Sequence, residues 1–273
     1  MRGVNNAHIF FDTGARYLAW QALDNIAVYG TNTIRVVWNT TGTAALLAEI
    51  LARIVELKMI PMVELHDVTG LADTTSLLDM AMYYARADVK QVLIDFRAYL
   101  LINIANEWSG QSNYASAYQA AVSLLRTSGI NHTLVIDAGG FGQDASTIFA
   151  NATALTSADP QHNLLFSLHM YNEFPTAASV DAVLGQAVSS SVPFVVGELG
   201  NQLLGVDVAW QEILARCKSL GIGYIAWSWM GNVGATAQLN MAQDWEGPLT
   251  SWGQSVLIGP NGIQQTAHPA GIF

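Results

Sequence analysis

Glu107 and Glu198 are the residues around which chemistry can be written. Each closes an apolar run: Leu101-Ile102-Asn103-Ile104-Ala105-Asn106-Glu107-Trp108 and Pro193-Phe194-Val195-Val196-Gly197-Glu198. Runs of this kind fit strands buried on both faces, as in a parallel sheet. Paired carboxyls suit work on an acetal: one protonates a leaving oxygen, while the other attacks the anomeric carbon or activates water. Similar runs carry further polar or aromatic groups. Arg35 lies in Thr33–Trp38, His66 follows Met59–Leu65, and Asp137 follows Thr133–Ile136. His169 and Tyr171 follow Leu164–Leu168, and Trp227 and Trp229 follow Gly223–Ala226. Polar groups at the C-terminal ends of parallel strands converge on one face of an α/β barrel. Convergence on a pair of glutamates points to glycosidic-bond hydrolysis.

The elements that must position these residues alternate along the whole chain. Arg2–Asn5 is a weak first strand. Ala15–Tyr29 carries Leu18, Ala19, Ala22, Leu23, Ile26 and Ala27 at helical spacing, and Gly30 is placed to stop it. Ala44–Lys58, Leu77–Phe96, Tyr114–Ser128, residues 145–156, Ser179–Ser190 and Asp207–Leu220 read as the following helices, with a last one over Leu249–Leu257. From Trp38 onward the strand ends Trp38, His66, Asn106, Asp137, His169, Glu198 and Trp227 recur every 28 to 40 residues. One βαβ unit takes about 30 residues. Eight units in 273 residues, without linker or low-complexity tract, predict a single (β/α)8 TIM barrel over residues 1–273. A doubly wound open sheet is the rival arrangement.

Composition narrows the function. Hydrophobic residues make up 51% of the chain, enough for a large core, and charged residues only 12%, where about 25% is usual. A net charge of −10 argues against a nucleic-acid binder, which needs a basic face. No apolar run is long enough to span a membrane. The one cysteine, Cys217, falls on an apolar helical stripe with Trp210, Ile213, Leu214 and Leu220 and reads as a small buried hydrophobe. No ligand spacing marks a metal site, so neither metal nor cofactor is expected. There is no Gly-x-Ser-x-Gly elbow. Gly139-Gly140-Phe141-Gly142 lacks the spacing of a phosphate-binding loop. Trp20 and Trp210 lie on helices and read as packing. His132, His162 and His268 fall in turns or the tail and are given no role. No signal peptide is visible, and the strand-like opening Met1-Arg2-Gly3-Val4-Asn5 suggests a trimmed form.

With these residues in place, the sequence resembles glycoside hydrolase family 5 almost end to end, and within it the bacterial endo-β-1,4-mannanases. The resemblance rests on Met1-Arg2-Gly3-Val4-Asn5, Thr31-Asn32-Thr33-Ile34-Arg35, Glu64-Leu65-His66-Asp67, Asn103-Ile104-Ala105-Asn106-Glu107-Trp108, Ser167-Leu168-His169-Met170-Tyr171, Gly197-Glu198, Ala226-Trp227-Ser228-Trp229 and Ala270-Gly271-Ile272-Phe273. It implies Glu107 as acid/base and Glu198 as nucleophile. Arg35 would keep the nucleophile ionised and Tyr171 would donate a hydrogen bond to it. Asn106 would bind the sugar 2-hydroxyl, His66 and His169 would complete the polar shell, and Trp227 would floor the site. All eight positions of the family's usual set are filled. Trp108 and Trp229 are the expected stacking platforms along an open cleft, with Trp38 and Trp245 behind them.

The chain also departs from the mannanases. A β-segment ahead of the first strand is missing, Phe141 stands where they tend to have tryptophan, and Leu199-Gly200-Asn201 replaces a Phe-Gly-Gly pattern. The loop Asn172-Glu173-Phe174-Pro175 differs as well. The expectation is a retaining endo-β-1,4-mannanase acting on mannan, glucomannan or galactomannan. An endo-β-1,4-glucanase with the same eight residues is the alternative. A non-catalytic glycan-binding barrel and a barrel enzyme for small molecules stand further off. The resemblance implies a polysaccharide partner and extracellular location, and a monomer is expected.

Overall fold

The structure, a computed structural model, describes residues 1–10 and 16–273. Ala15, expected in the first helix, lies outside the described residues. Eight parallel strands close into a barrel: β1 (Arg2–Ala7), β2 (Thr33–Trp38), β3 (Ile60–Leu65), β4 (Leu101–Asn103), β5 (Leu134–Asp137), β6 (Leu164–Met170), β7 (Phe194–Leu199) and, after a hairpin of β8 (Gln202–Leu203) and β9 (Val206–Asp207), β10 (Gly223–Ala226). Each strand pairs with its sequence neighbour around the ring, and β10 closes on β1. The (β/α)8 expectation holds and the open-sheet rival falls.

Side chains alternate across each strand, and the barrel wall sorts them. Ile34, Val36, Val63, Leu65, Ile102, Leu134, Ile136, Phe166 and Leu168 join the large core between strands and helices. Met62, Val135 and Ile225 form a separate small cluster with Met1, Leu101 and Leu165, filling the lower barrel. Two residues further along, the same faces turn polar: Met62 is followed by Glu64, Leu101 by Asn103 and Val135 by Asp137, all three fully buried. The barrel interior thus has an apolar lower storey and a polar upper one.

The covering helices are α1 (Arg16–Ala27), α2 (Ala44–Glu56), α3 (Thr74–Ala85), α4 (Ala87–Asp95), α5 (Tyr114–Thr127), α6 (Ala145–Ala158), α7 (Ala177–Ser189) and α8 (Trp210–Leu220). They bury the stripes that their spacing announced, as α2 does with Leu47, Ile50, Leu51 and Ile54. Three expectations need correction. The helix read over Leu77–Phe96 is two, because Arg86 adopts extended backbone (φ −55°, ψ 139°) with neither glycine nor proline to announce it. The helix read from Asp207 starts at Trp210. Leu204 and Gly205 both take positive φ, the geometry of a tight two-residue hairpin turn, so Asp207 pairs with Gln202. The last helix is a short turn, Ser251–Gly253, that continues as a π-helix over Gln254–Ile258. Among the described residues no helix is long and apolar enough to cross a membrane.

Candidate active site

Arg35 stands at the centre of the polar storey. The β1–β2–β3 register sets it beside Asn5 on one side and Met62 on the other. It is fully buried, so every guanidinium donor needs a protein partner. Nη1 donates to Glu198 Oε1 (2.8 Å) and Asn5 Oδ1 (3.0 Å), Nη2 to Asn103 Oδ1 (2.7 Å) and Asn106 Oδ1 (2.8 Å), and Nε to Asn103 Oδ1 (3.2 Å). Glu64 and Asp137 stand at 3.7 and 3.6 Å. Burial works against its charge, but Glu64, Glu198, Asp137 and Glu107 together hold Arg35 more firmly protonated than a free arginine.

Glu198 is 3% exposed and gripped at both oxygens. Oε1 accepts from Arg35, and Oε2 accepts from the Tyr171 hydroxyl at 2.7 Å. Burial pushes its carboxyl above the ordinary glutamate range. His169 and Arg35 pull the other way, and Glu107 adds to the rise. A register slip between Leu168 and His169 sets His169 opposite Glu198. Gly197 sits at that slip, and a Cβ there would meet Ser167 Oγ at 2.1 Å.

Glu107 lies just past β4 with left-handed backbone (φ +47°). Its main chain is pinned on both sides. The N–H donates to Asp137 Oδ2 (3.1 Å), and the carbonyl accepts from Gly70 N–H (3.0 Å) and Ser109 Oγ (3.2 Å). Its Oε1 is 2.9 Å from His169 Nδ1. The same nitrogen lies 3.6 Å from Glu198 Oε2, and His169 Nε2 lies 3.4 Å from Asp137 Oδ2. Burial disfavours an imidazolium here, but the charges of Glu198 and Asp137 and the hydrogen bond to Glu107 raise His169 to about 10. Among the described residues, ligand atoms of Glu107, His169 and Glu198 all lie within 4.8 Å of one another, a grouping with metal-binding geometry.

The rim follows. Asn106 Nδ2 donates to Thr69 Oγ1 (2.8 Å) and lies 3.4 Å from His66 Nε2. His66 Nδ1 lies 2.9 Å from Glu64 Oε1, and its ring stacks on Trp227 with centroids 5.7 Å apart. Burial lowers its basicity, but Glu64 outweighs this and raises it. Trp227 packs with Ala7, Val37, Tyr171 and Leu239 and donates through Nε1 to Asn232 Oδ1 (2.9 Å). Arg35, His66, Asn106, Glu107, His169, Tyr171, Glu198 and Trp227 therefore meet at one end of the barrel.

Trp108 and Trp229 do not meet the expectation of stacking platforms. Trp108 is fully buried, edge-on to Tyr118, with Nε1 donating to the Asp73 carbonyl (2.9 Å). Trp229 is 1% exposed and donates to the Trp245 carbonyl (2.9 Å). Neither ring offers a face to a sugar. Trp38 is also fully buried, while Trp245 is only partly covered. Among the described residues, an exposed aromatic that shares a cleft with Glu107 is Phe141. With Gln111, Gly140, Gln143, Asn172, Phe174 and the hairpin's Leu203 and Leu204 it lines a cleft of about 750 Å³ that reaches Glu107.

Reading strand ends missed the buried supports Asn5, Glu64 and Asn103, and gave Asp137 no specific partners. For Glu64, Asn103 and Asp137 the signal was present as a polar residue two positions after an apolar one on the same strand face.

Residues 2–233 match the family described as cellulase (glycosyl hydrolase family 5). The whole chain is 36% identical to mannan endo-1,4-beta-mannosidase of Streptomyces lividans and covers 73% of it. The catalytic domain of mannanase from Streptomyces sp. SirexAA-E superposes with a TM-score of 0.91 at 35% identity, covering 100% of this chain and 88% of that one. Beta-mannanase from Streptomyces thermolilacinus with mannohexaose gives a TM-score of 0.90 at 35% identity, covering 100% and 92%.

Proposed function

We propose, because this chain belongs to glycosyl hydrolase family 5, that it is an endo-β-1,4-mannanase cleaving internal bonds of mannan, glucomannan or galactomannan by double displacement, with Glu198 as nucleophile and Glu107 as acid/base. The observation that supports the mechanism is the approach of the two carboxyls, one oxygen of each lying within 4.8 Å of the other. Retention works at about 5–5.5 Å, whereas inversion needs about 6.5–9.5 Å to admit a water.

In the first step Glu198 Oε attacks the anomeric carbon, the bond to the leaving oxygen breaks, and the Glu107 proton moves to that oxygen. In the second, Glu107 takes a proton from water, the hydroxide displaces Glu198, and the sugar leaves with its configuration retained. Arg35 and Tyr171 hold the attacking carboxylate in one orientation and stabilise its charge. Esterification removes one negative charge beside His169, so the imidazolium is less compensated when Glu107 must act as base. Asn106, fixed between Arg35 and Thr69, is positioned to meet the 2-hydroxyl, and Trp227 to floor the sugar. The relatives' names support mannan as the substrate.

The test is reducing-sugar release from glucomannan, galactomannan and carboxymethyl-cellulose, with Glu198→Gln as control. Activity on the mannans, lost in the variant, supports the reading. Cleavage of carboxymethyl-cellulose alone moves the enzyme to the glucanases. A folded protein inert on all three sinks the reading. A single barrel domain over 1–273, a monomer, and action outside the cell on polymer fit the same reading. Sedimentation and fractionation of culture medium test the last two.

A further inference from the structure

Asp137 closes β5, is fully buried, and has no place in the mechanism above. Its partners are unusual in belonging to so many parts of the site. Oδ2 accepts the Glu107 N–H (3.1 Å) and lies 3.4 Å from His169 Nε2 and 3.6 Å from Arg35 Nη2. Oδ1 accepts from Asn103 Nδ2 (3.2 Å), and its own carbonyl accepts from the Tyr114 hydroxyl (3.0 Å). Glu107 needs such support. Left-handed backbone is unfavourable for a residue with a side chain and persists only where its surroundings fix it.

We propose that Asp137 is the positioning residue for the acid/base, holding Glu107 at both ends: at its main chain by a direct hydrogen bond, and at its carboxyl through His169. The charge on Asp137 is balanced by Arg35 and His169 rather than by solvent. A carboxylate buried here, with two cations and two donors converging on it, stays ionised, and Asp137 is pulled down to about 2 against the opposing effect of burial. With Glu198, its ionised oxygen 3.4 Å from Nε2 favours the doubly protonated imidazole, so that Nδ1–H is a donor to Glu107 Oε1. The charged groups facing that ring are Glu107 from the end of β4, Asp137 from β5 and Glu198 from β7. Losing Asp137 releases the Glu107 N–H and removes the charge behind His169, while leaving Glu198 with Arg35 and Tyr171.

The inference rests on the assignment of Glu107 as acid/base, and the experiment separates the two. Asp137→Asn and Glu107→Ala are compared on a mannan oligosaccharide, whose leaving group needs a proton, and on an aryl mannobioside whose leaving group does not. Asp137→Asn is expected to lower kcat/KM on the oligosaccharide about 100-fold, as a misplaced catalytic group does, and on the aryl substrate less than about 5-fold because the general acid is then dispensable. The ¹⁵N resonances of His169 should titrate at lower pH in the variant. Equal losses on both substrates, or an unmoved His169 titration, overturn the proposal. Leaving-group dependence in Glu107→Ala but not in Asp137→Asn overturns it alone; its absence from Glu107→Ala overturns the acid/base assignment itself. Should Asp137→Asn not fold, Asp137→Glu keeps the charge but displaces the Glu107 N–H, and the same dependence is expected. Failure of both to fold assigns Asp137 to stability and ends the proposal.

Discussion

Glu198 is held among charges in a place where water contributes little. Its carboxyl is raised chiefly by burial, with Glu107 adding to the rise and His169 and Arg35 opposing it. For a raised acid the sign is fixed. Its contribution to stability is present below the unfolded value and lost as pH rises through the folded one, so ionised Glu198 costs the fold stability at neutral pH. Glu198→Gln should therefore abolish turnover yet raise the melting temperature at pH 7 by roughly 2 °C or more, the exchange expected of a functional charge. A lower melting temperature in calorimetry would show that the bond to Arg35 outweighs the burial. His169 runs the other way. Raised to about 10, it contributes stability that is complete below its ordinary value near 6.5 and lost as pH rises through 10. At this scale the sequence revealed residue type and strand position but not side-chain direction. Trp108 and Trp229 follow strand ends as Trp227 does, yet their rings turn into the core because each indole N–H finds a backbone carbonyl there. Asn5, Glu64 and Asn103 stayed hidden because they sit within strands, where a polar residue reads as noise until its neighbours in the register are known.

The loop after β5 matters most among the connecting elements. Gly142 takes φ +71°, its carbonyl accepts the His169 N–H (2.8 Å), and a Cβ on it would lie 2.7 Å from His169 Nδ1. The Gly139-Gly140-Phe141-Gly142 turn is thus a backstop for the imidazole that touches Glu107, which gives a glycine-rich turn a purpose unrelated to phosphate. Gly142→Ala is expected to lower kcat at least about 10-fold, by displacing His169, while leaving the far-ultraviolet circular dichroism unchanged. An active variant would show that the ring moves aside freely. Helices and strands with strong periodicity were legible to within a few residues. The break at Arg86 and the hairpin before α8 were not, since neither shows a proline, and Leu204 is a residue type that rarely turns a chain.

Across the whole molecule, chemistry and anchorage occupy opposite ends. Arg126, near the end of α5, grips buried Asp159 through two bonds of 2.8 and 2.9 Å. It also donates to the carbonyls of Ile130 and His132 just before β5 and of Asn163 just before β6. Burial opposes the charge of Asp159, but Arg126 and the N–H groups of Asn163 and Gln161 bring it down to about 2. This depressed acid contributes stability above its ordinary value near 3.8, lost as pH falls through about 2. Asp159→Ala leaves a buried guanidinium uncompensated and should cost about 3 kcal/mol in denaturant unfolding, with kcat/KM unchanged for the folded fraction. A fall in kcat/KM would mean that the two storeys of the barrel are coupled. The closed barrel itself was the most legible feature of all, because eight repeats of one unit leave few other ways to bury such strands.

Leu204 projects from the hairpin tip beside the cleft and is 81% exposed. That two-residue turn forms part of one wall of the groove. With so short a wall, a polymer is expected to settle sideways into the groove. A few more residues would roof the groove over, so that a chain could enter only by threading an end, and short sugars would be shed one after another instead of long fragments at random.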